Sequence, residues 1–290
     1  MRKLTVVLLA LIISACASPI VKRPAADTVK KIAFISVYSN SSIYNVKNPD
    51  QVDTLAILKK AVKGNDNIQD GNVQLSTFAL KHYSENLSTA QWQVVPAPEV
   101  ISHPAYKTFT QELKGEGAMG FLNKMAGTKW AVPPEMAHFP FEVVAKTNQK
   151  TYTNVNGKMV DAKTVSRERL AKLSQELGVD AVGIIHVDLA FEKGMLDVEL
   201  PLKRAKAMPK VSSEMVVINS KGEIAMQTGR IVRGKGKRFE ASEKAPMIQG
   251  GRVEFAGKDG QETIKAFSEA IEKSAHGLKS EIEKELGKKS

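Results

Sequence analysis

Apolar positions change period along this chain, and the changes outline its elements. Val29 to Val37 is nearly continuous (Ile32, Ala33, Phe34, Ile35, Val37) and predicts a strand buried on both faces, closed by Asn40-Ser41-Ser42. Two helices are expected next. Asp53 can cap the first, with Leu55, Leu58 and Val62 as its stripe and Gly64 as its stop. Asn72 can cap the second, with Leu75, Ala79, Tyr83 and Leu87 at four-residue spacing. Trp92 to Val95 reads as a short strand ended by Pro96-Ala97-Pro98.

Residues 99–160 carry little periodicity and are expected to form an irregular insertion. Within it, Tyr106 to Leu113 suits a helix, and Phe139 to Val144 with Asn154-Val155-Asn156-Gly157 hints at a hairpin. From Asp161 the pattern sharpens. Val165, Leu170, Leu173 and Leu177 mark a helix with Gly178 just past its end, and Val179 to Phe191 is a strand rich in Val and Ile. Leu196, Val198, Leu200 and Leu202 alternate with polar residues and a proline, as a half-buried edge strand does. Glu214 to Ile218 and Glu223 to Ile231 predict a hairpin around Asn219-Ser220-Lys221-Gly222. The chain ends in an amphipathic helix. Asp259 and Glu262 suit a capping box, and Ile264, Phe267, Ile271, Ala275, Leu278, Ile282 and Leu286 line one face before Gly287. That face is expected to dock on the sheet. The fold class that follows is α/β, a mixed sheet packed by helices in two or three layers.

The first residues follow another plan. Arg2 and Lys3 precede an apolar run from Leu4 to Ile13, and Ser14 and Ala15 are small. This is the order of a secretory signal, and ten residues fall short of the about 20 that a spanning helix needs. Ile13-Ser14-Ala15-Cys16 resembles the lipobox of bacterial lipoproteins. The resemblance implies that residues 1–15 are removed and that Cys16 is acylated. It also implies attachment to the outer membrane on the periplasmic side, since Ala17 is not the Asp that retains such proteins at the inner membrane. Residues 16–28, with two prolines and no apolar period, are expected to be the lipidated tether, and residues 29–290 a single domain. Cys16 is the one cysteine, so once acylated it leaves no thiol for a disulfide.

The formal charge is +11, and removal of Arg2 and Lys3 leaves +9. Residues 193–238 hold eleven Lys or Arg against four Asp or Glu, and so carry most of it. Lys203, Arg204, Lys206, Arg230, Arg233, Lys235, Lys237 and Arg238 are candidates for an anionic docking surface. The competing reading is a solvated edge kept from aggregating by charge. No zinc-finger spacing or RNA-binding signature is present, so nucleic acid is not an expected partner.

Catalytic patterns are sparse. Gly115-Glu116-Gly117-Ala118-Met119-Gly120 matches GxGxxG, but a polar, helix-like segment precedes it where a dinucleotide site needs a strand. His186 and Asp188 are two apart on a strand and share a face, so they suit an acid–base or metal pair, or a partly buried His with a local carboxylate. His82, His103, His138 and His276 show no ligand spacing to them. GxSxG, SxxK and HExxH are absent. No cofactor or metal is expected.

Three stretches are similar to one family pattern. Lys31-Ile32-Ala33-Phe34-Ile35 resembles a first strand. Glu176-Leu177-Gly178-Val179-Asp180-Ala181-Val182-Gly183 resembles a helix–Gly–strand element, and Val216-Val217-Ile218-Asn219-Ser220-Lys221-Gly222-Glu223 a hairpin. The pattern is that of the curli-secretion lipoproteins, whose architecture the penicillin-binding-protein activator lipoproteins and the TolB N-terminal domain share. The resemblance implies a non-enzymatic module that docks a protein partner in envelope assembly or secretion. Two alternatives stand beside it: a subunit of an outer-membrane secretion pore, and an envelope hydrolase using His186 and Asp188. The insertion at 99–160 departs from the family pattern.

Overall fold

The computed structural model describes residues 20–40, 44–45, 66–115, 130–145, 152–155, 157–193, 207–228, 231–235, 248–249, 252–253 and 257–287. The continuous apolar run becomes β2 (Lys31–Asn40), in which every residue after Lys31 is buried. It follows β1 (Ile20–Val21) and precedes β3 (Tyr44–Asn45). Then come α1 (Asp66–Asn86), β4 (Gln93–Val94), α2 (Ala97–Ser102), α3 (Pro104–Gly115) and β5 (Trp130–Ala131). A hairpin of β6 (Tyr152–Val155) and β7 (Lys158–Asp161) leads into α4 (Ala162–Glu176). β8 (Ala181–Lys193), β9 (Ala207–Asn219), β10 (Ile224–Gln227) and β11 (Ile231–Lys235) complete the sheet. A small hairpin, β12 (Ile248–Gln249) with β13 (Arg252–Val253), precedes α5 (Gly257–Leu286).

Among the described residues the main sheet has nine strands and runs β1-β10-β9-β8-β2-β4, with β11 also on β9, β3 on β8 and β5 on β2. β2 lies parallel to β4 and β8, whereas β8, β9 and β10 are antiparallel. The α/β expectation is met. Helices α1 and α5 cover one face: they pack on each other, α1 on β2 and α5 on β9. The predicted stripe of α5 is buried along its length, from Ile264 to Leu286. Tyr83 of α1 and Ser274 of α5 share a buried hydrogen bond of 2.9 Å, and Tyr83 lies beside Ser213 of β9. Burial pushes the Tyr83 phenol up to about 12. α4 packs on β8 and β9 from the other side, together with a 3-10 turn at Phe141–Val143.

Local chemistry fixes the ends. The Asp161 carboxylate accepts from Lys163 N and so caps α4, and Gly178, at φ +63, ends it in the left-handed region. The Asp180 carboxylate accepts from the amides of Lys30 and Lys31, at 2.9 and 2.8 Å, joining the start of β8 to the start of β2. Asn219 Oδ1 accepts from Lys221 N and Glu223 N across the predicted turn, where Gly222 takes φ +80.

Several boundaries depart from the pattern. Asn72 is no cap: α1 begins at Asp66, and Asn72 is buried inside it, because packing overrides a polar residue's preference for helix ends. α5 starts at Gly257, two residues before the expected cap Asp259. Phe139 to Val144 is not a hairpin strand; the hairpin is 152–161, with Gly157 at φ +82. Residues 20–28 of the expected tether are seated on the domain. Ile20 and Val21 pair with Gln227 and Met226, Ala26 is buried, and the Arg23 guanidinium donates to Leu286 O at 3.0 Å. The first predicted helix (Asp53 to Gly64), the strand 196–202 and most of the GxGxxG stretch lie outside the described residues. Among the described residues, no helix is long and apolar enough to cross a membrane.

Candidate functional site: a histidine–aromatic cluster

The sheet face that α4 and the 3-10 turn share changes character along its strands. Successive residues alternate faces, so register partners share one. Tyr38 pairs with His186, and His186 with Glu214, which makes a row across β2, β8 and β9. One step further along β8, Asp188 pairs with Ser212. Nearer the start of β8, the same face carries Ile184 and Val216. The apolar half lies on the α4 side of this face, and the polar half is roofed by residues 130–145.

Between β5 and the 3-10 turn that roof is a strap without helix or strand, held to the domain by side-chain hydroxyls. Its alternate amides each find one. Ala137 N donates to Tyr106 Oη at 2.9 Å, Phe139 N to Ser36 Oγ at 3.0 Å, and Phe141 N to Tyr38 Oη at 2.9 Å. The Tyr106 hydroxyl itself donates to Ile35 O at 2.8 Å. Ile35 is the residue left over where the β2–β8 register slips between Phe34 and Ser36, so the bulge supplies the free carbonyl. Val37 N points at Met136 Sδ, 3.2 Å away. Burial raises the pKa of both tyrosines, and for Tyr38 the neighbouring Glu142 adds to it, so each stays a neutral hydroxyl able to accept and donate.

Under the strap four rings meet. His186 stacks on Tyr38, with centroids 4.9 Å apart and planes 11° apart, and His138 meets the Tyr38 ring edge-on at 4.6 Å. Trp130 is edge-on to both Tyr38 and His186, at 5.3 and 5.0 Å, and lies 6.0 Å from His138. His186 Nδ1 is 3.2 Å from Glu214 Oε2. A carboxylate only accepts, so this contact puts a proton on Nδ1 and leaves Nε2 outside it. Among the described residues, that Nε2 and both nitrogens of His138 are buried without a hydrogen-bond partner. Burial, aided by His186, pushes the His138 imidazole down to about 4, so it is neutral near pH 7.

The local carboxylate of the partly buried His186 is therefore Glu214, not Asp188. Neighbouring strands provide the partners: Glu214 for His186, and Ser212 for Asp188 at 3.4 Å. Sequence reasoning missed Tyr38, Trp130, His138 and Glu214. The polar ends of three apolar strands were visible, but their alignment needs the register. His138 and Trp130 sit in the aperiodic insertion. No protein-family model matches this chain, and no curated protein does either.

Of the basic candidates, Arg233 and Lys235 belong to β11. Lys203, Arg204, Lys206, Arg230, Lys237 and Arg238 lie outside the described residues, as does Cys16. Among the described residues, no group of three or more His, Cys, Asp or Glu is gathered as a metal cage would need.

Proposed function

We propose that this chain is a non-enzymatic lipoprotein, held by lipid on Cys16 at the periplasmic side of the outer membrane. There its α/β domain docks a protein partner in envelope assembly or secretion. One observation carries the non-enzymatic part. The hydroxyls of Ser36 and Tyr38 on the polar sheet face, and that of Tyr106 on α3, are engaged as scaffold, each accepting a strap amide. Among the described residues, the hydrogen-bond partner of His186 is Glu214 and no hydroxyl or thiol nucleophile is bonded to it, which argues against the hydrolase alternative. The lipid anchor rests on Ile13-Ser14-Ala15-Cys16, and docking on the resemblance of the strand, helix–Gly–strand and hairpin stretches.

Mass spectrometry of the protein isolated from membranes is expected to find an acylated Cys16 as the first residue. An unmodified Cys16, or a chain starting elsewhere, overturns the anchor. Photo-crosslinking in intact envelopes is expected to yield one defined heteromeric adduct that survives stringent washing. Hydrolysis of an envelope substrate that is lost in His186→Gln overturns the non-enzymatic reading.

A further inference from the structure

The short first strand and a basic strand share one flank of the sheet. β8 occupies one side of β9 along its full length, so β10 and β11 stand on the other. β10 lies against Ile218 to Val216, and β11 against Ser213 to Lys210. β1 is outside β10, with Ile20 opposite Gln227 and Val21 opposite Met226. β1 therefore runs away from β11, and its first residue, Ile20, is the end nearer to that strand. Ile231, which opens β11, stands three residues further along β9 than Gln227, about 10 Å at the strand rise.

Three features coincide here. Ile20 is an apolar side chain left 60% exposed. Residues 229–238, which contain β11, carry five cations (Arg230, Arg233, Lys235, Lys237 and Arg238) and no acid. Cys16 is four residues ahead of Ile20, and four residues reach at most about 14 Å. A solvated edge guarded by charge accounts for the cations. It does not account for an exposed isoleucine beside them, nor for a leash that ends at the same flank.

We infer that the β1–β11 flank rests on an anionic phospholipid surface, that of the bilayer holding the lipid of Cys16, so that the domain is oriented on its tether. The inference rests on the lipid anchor proposed above. Ile20 enters the headgroup boundary, and the basic run meets the phosphates. The length of the leash selects this occupant. The field of exposed charges fades over a Debye length, about 8 Å at physiological ionic strength, and a leash of at most about 14 Å keeps the flank within two such lengths of the lipid. Each Lys or Arg near an anionic leaflet raises partitioning by about fivefold. Five of them give a free protein a grip as marginal as that of a single acyl chain. The tether makes the contact intramolecular, and a marginal grip then suffices.

The test uses residues 16–290, the form that the anchor implies, coupled through the Cys16 thiol to a maleimide lipid in vesicles. Cys16 is the one cysteine, so the attachment is unique. The experiment supplies the tether, which keeps a failure of the seat separate from a failure of acylation in the cell, read by mass spectrometry. The vesicles are two parts phosphatidylcholine to one part phosphatidylglycerol, with brominated acyl chains as quencher. Ile20→Trp is expected to gain an emission that these chains quench about twofold or more, whereas Tyr152→Trp, on the exposed hairpin ahead of α4, gains one that they leave unquenched. Raising the salt, leaving out phosphatidylglycerol, or reversing Arg230, Arg233, Lys235 and Lys237 to Glu is each expected to remove at least half of the Ile20→Trp quenching. Circular dichroism establishes that the variants fold, and the salt and lipid arms decide the matter if the reversed chain does not. An unquenched Ile20→Trp, equal quenching of Tyr152→Trp, or quenching indifferent to salt and to phosphatidylglycerol would each overturn the inference. In intact envelopes, a photo-reactive residue in place of Ile20 is expected to crosslink to phospholipid. A protein adduct in its stead would give this flank to a partner and overturn the inference as well.

Discussion

A single methyl group tests the tightest point of the core. At Gly183 an added Cβ would stand 2.6 Å from Cδ1 and Cε1 of Phe34, the residue paired with it across the parallel ladder. The ring occupies the space a side chain would take, so Gly183→Ala forces it to move. Overpacking of this kind costs about 1–3 kcal/mol. The urea midpoint of Gly183→Ala is expected to fall accordingly, and Phe34→Leu in the same chain is expected to return part of the loss. An unchanged midpoint would mean that the ring relocates freely. Phe34 and Gly183 both fall in stretches recognisable from sequence, yet the reason glycine is needed there is not in either stretch. It arises from the register that brings β2 to β8. The same holds for His186. Its burial on an apolar strand was legible, but its partner Glu214 was not, since twenty-eight residues separate them.

Elements with a strong period were legible, and those held by polar contacts were not. α5 and β8 follow from spacing alone, because burial of apolar side chains is what forms them. The strap over 130–145 obeys no such period. It is fixed by main-chain amides reaching Tyr106, Ser36 and Tyr38, and hydrogen bonds of that kind leave no mark in a hydropathy pattern. Tyr106 is its most connected anchor, since one hydroxyl serves both Ala137 N and Ile35 O. Tyr106→Phe leaves a carbonyl and an amide without that partner while keeping the buried ring. A loss of about 1–3 kcal/mol is expected, with faster hydrogen exchange at Ala137 and Phe139 than elsewhere. Exchange that rises evenly across the whole domain would argue that the strap is not a separate unit.

For the whole molecule, the two helical layers and the mixed sheet follow from the alternation of continuous apolar strands with amphipathic helices, whereas the seating of residues 20–28 on the domain does not. Global stability also carries a signature at high pH. Tyr83 is sealed between α1, α5 and β9, and its phenol is raised from 10 to about 12. Below pH 10 both the folded and unfolded chains hold this proton. Between 10 and about 12 only the unfolded chain releases it, so stability is full below 10 and falls as pH rises through that window, by about 2–3 kcal/mol from this group. Tyr83→Phe is expected to be weaker at pH 8 through loss of the bond to Ser274, but to show a shallower decline from pH 10 to 12 in denaturant titrations. A parallel decline would assign the alkaline loss to other groups. The contact between Arg23 and the Leu286 carbonyl has a mechanical meaning as well. It bolts the first described turn of the chain to the final turn of α5, and Lys22 N is bonded to Ala225 O beside it. Tension applied ahead of Ile20 would thus load the carboxyl-terminal helix and the β10 edge together, and a pull there would reach α5 before it stretched the strands between.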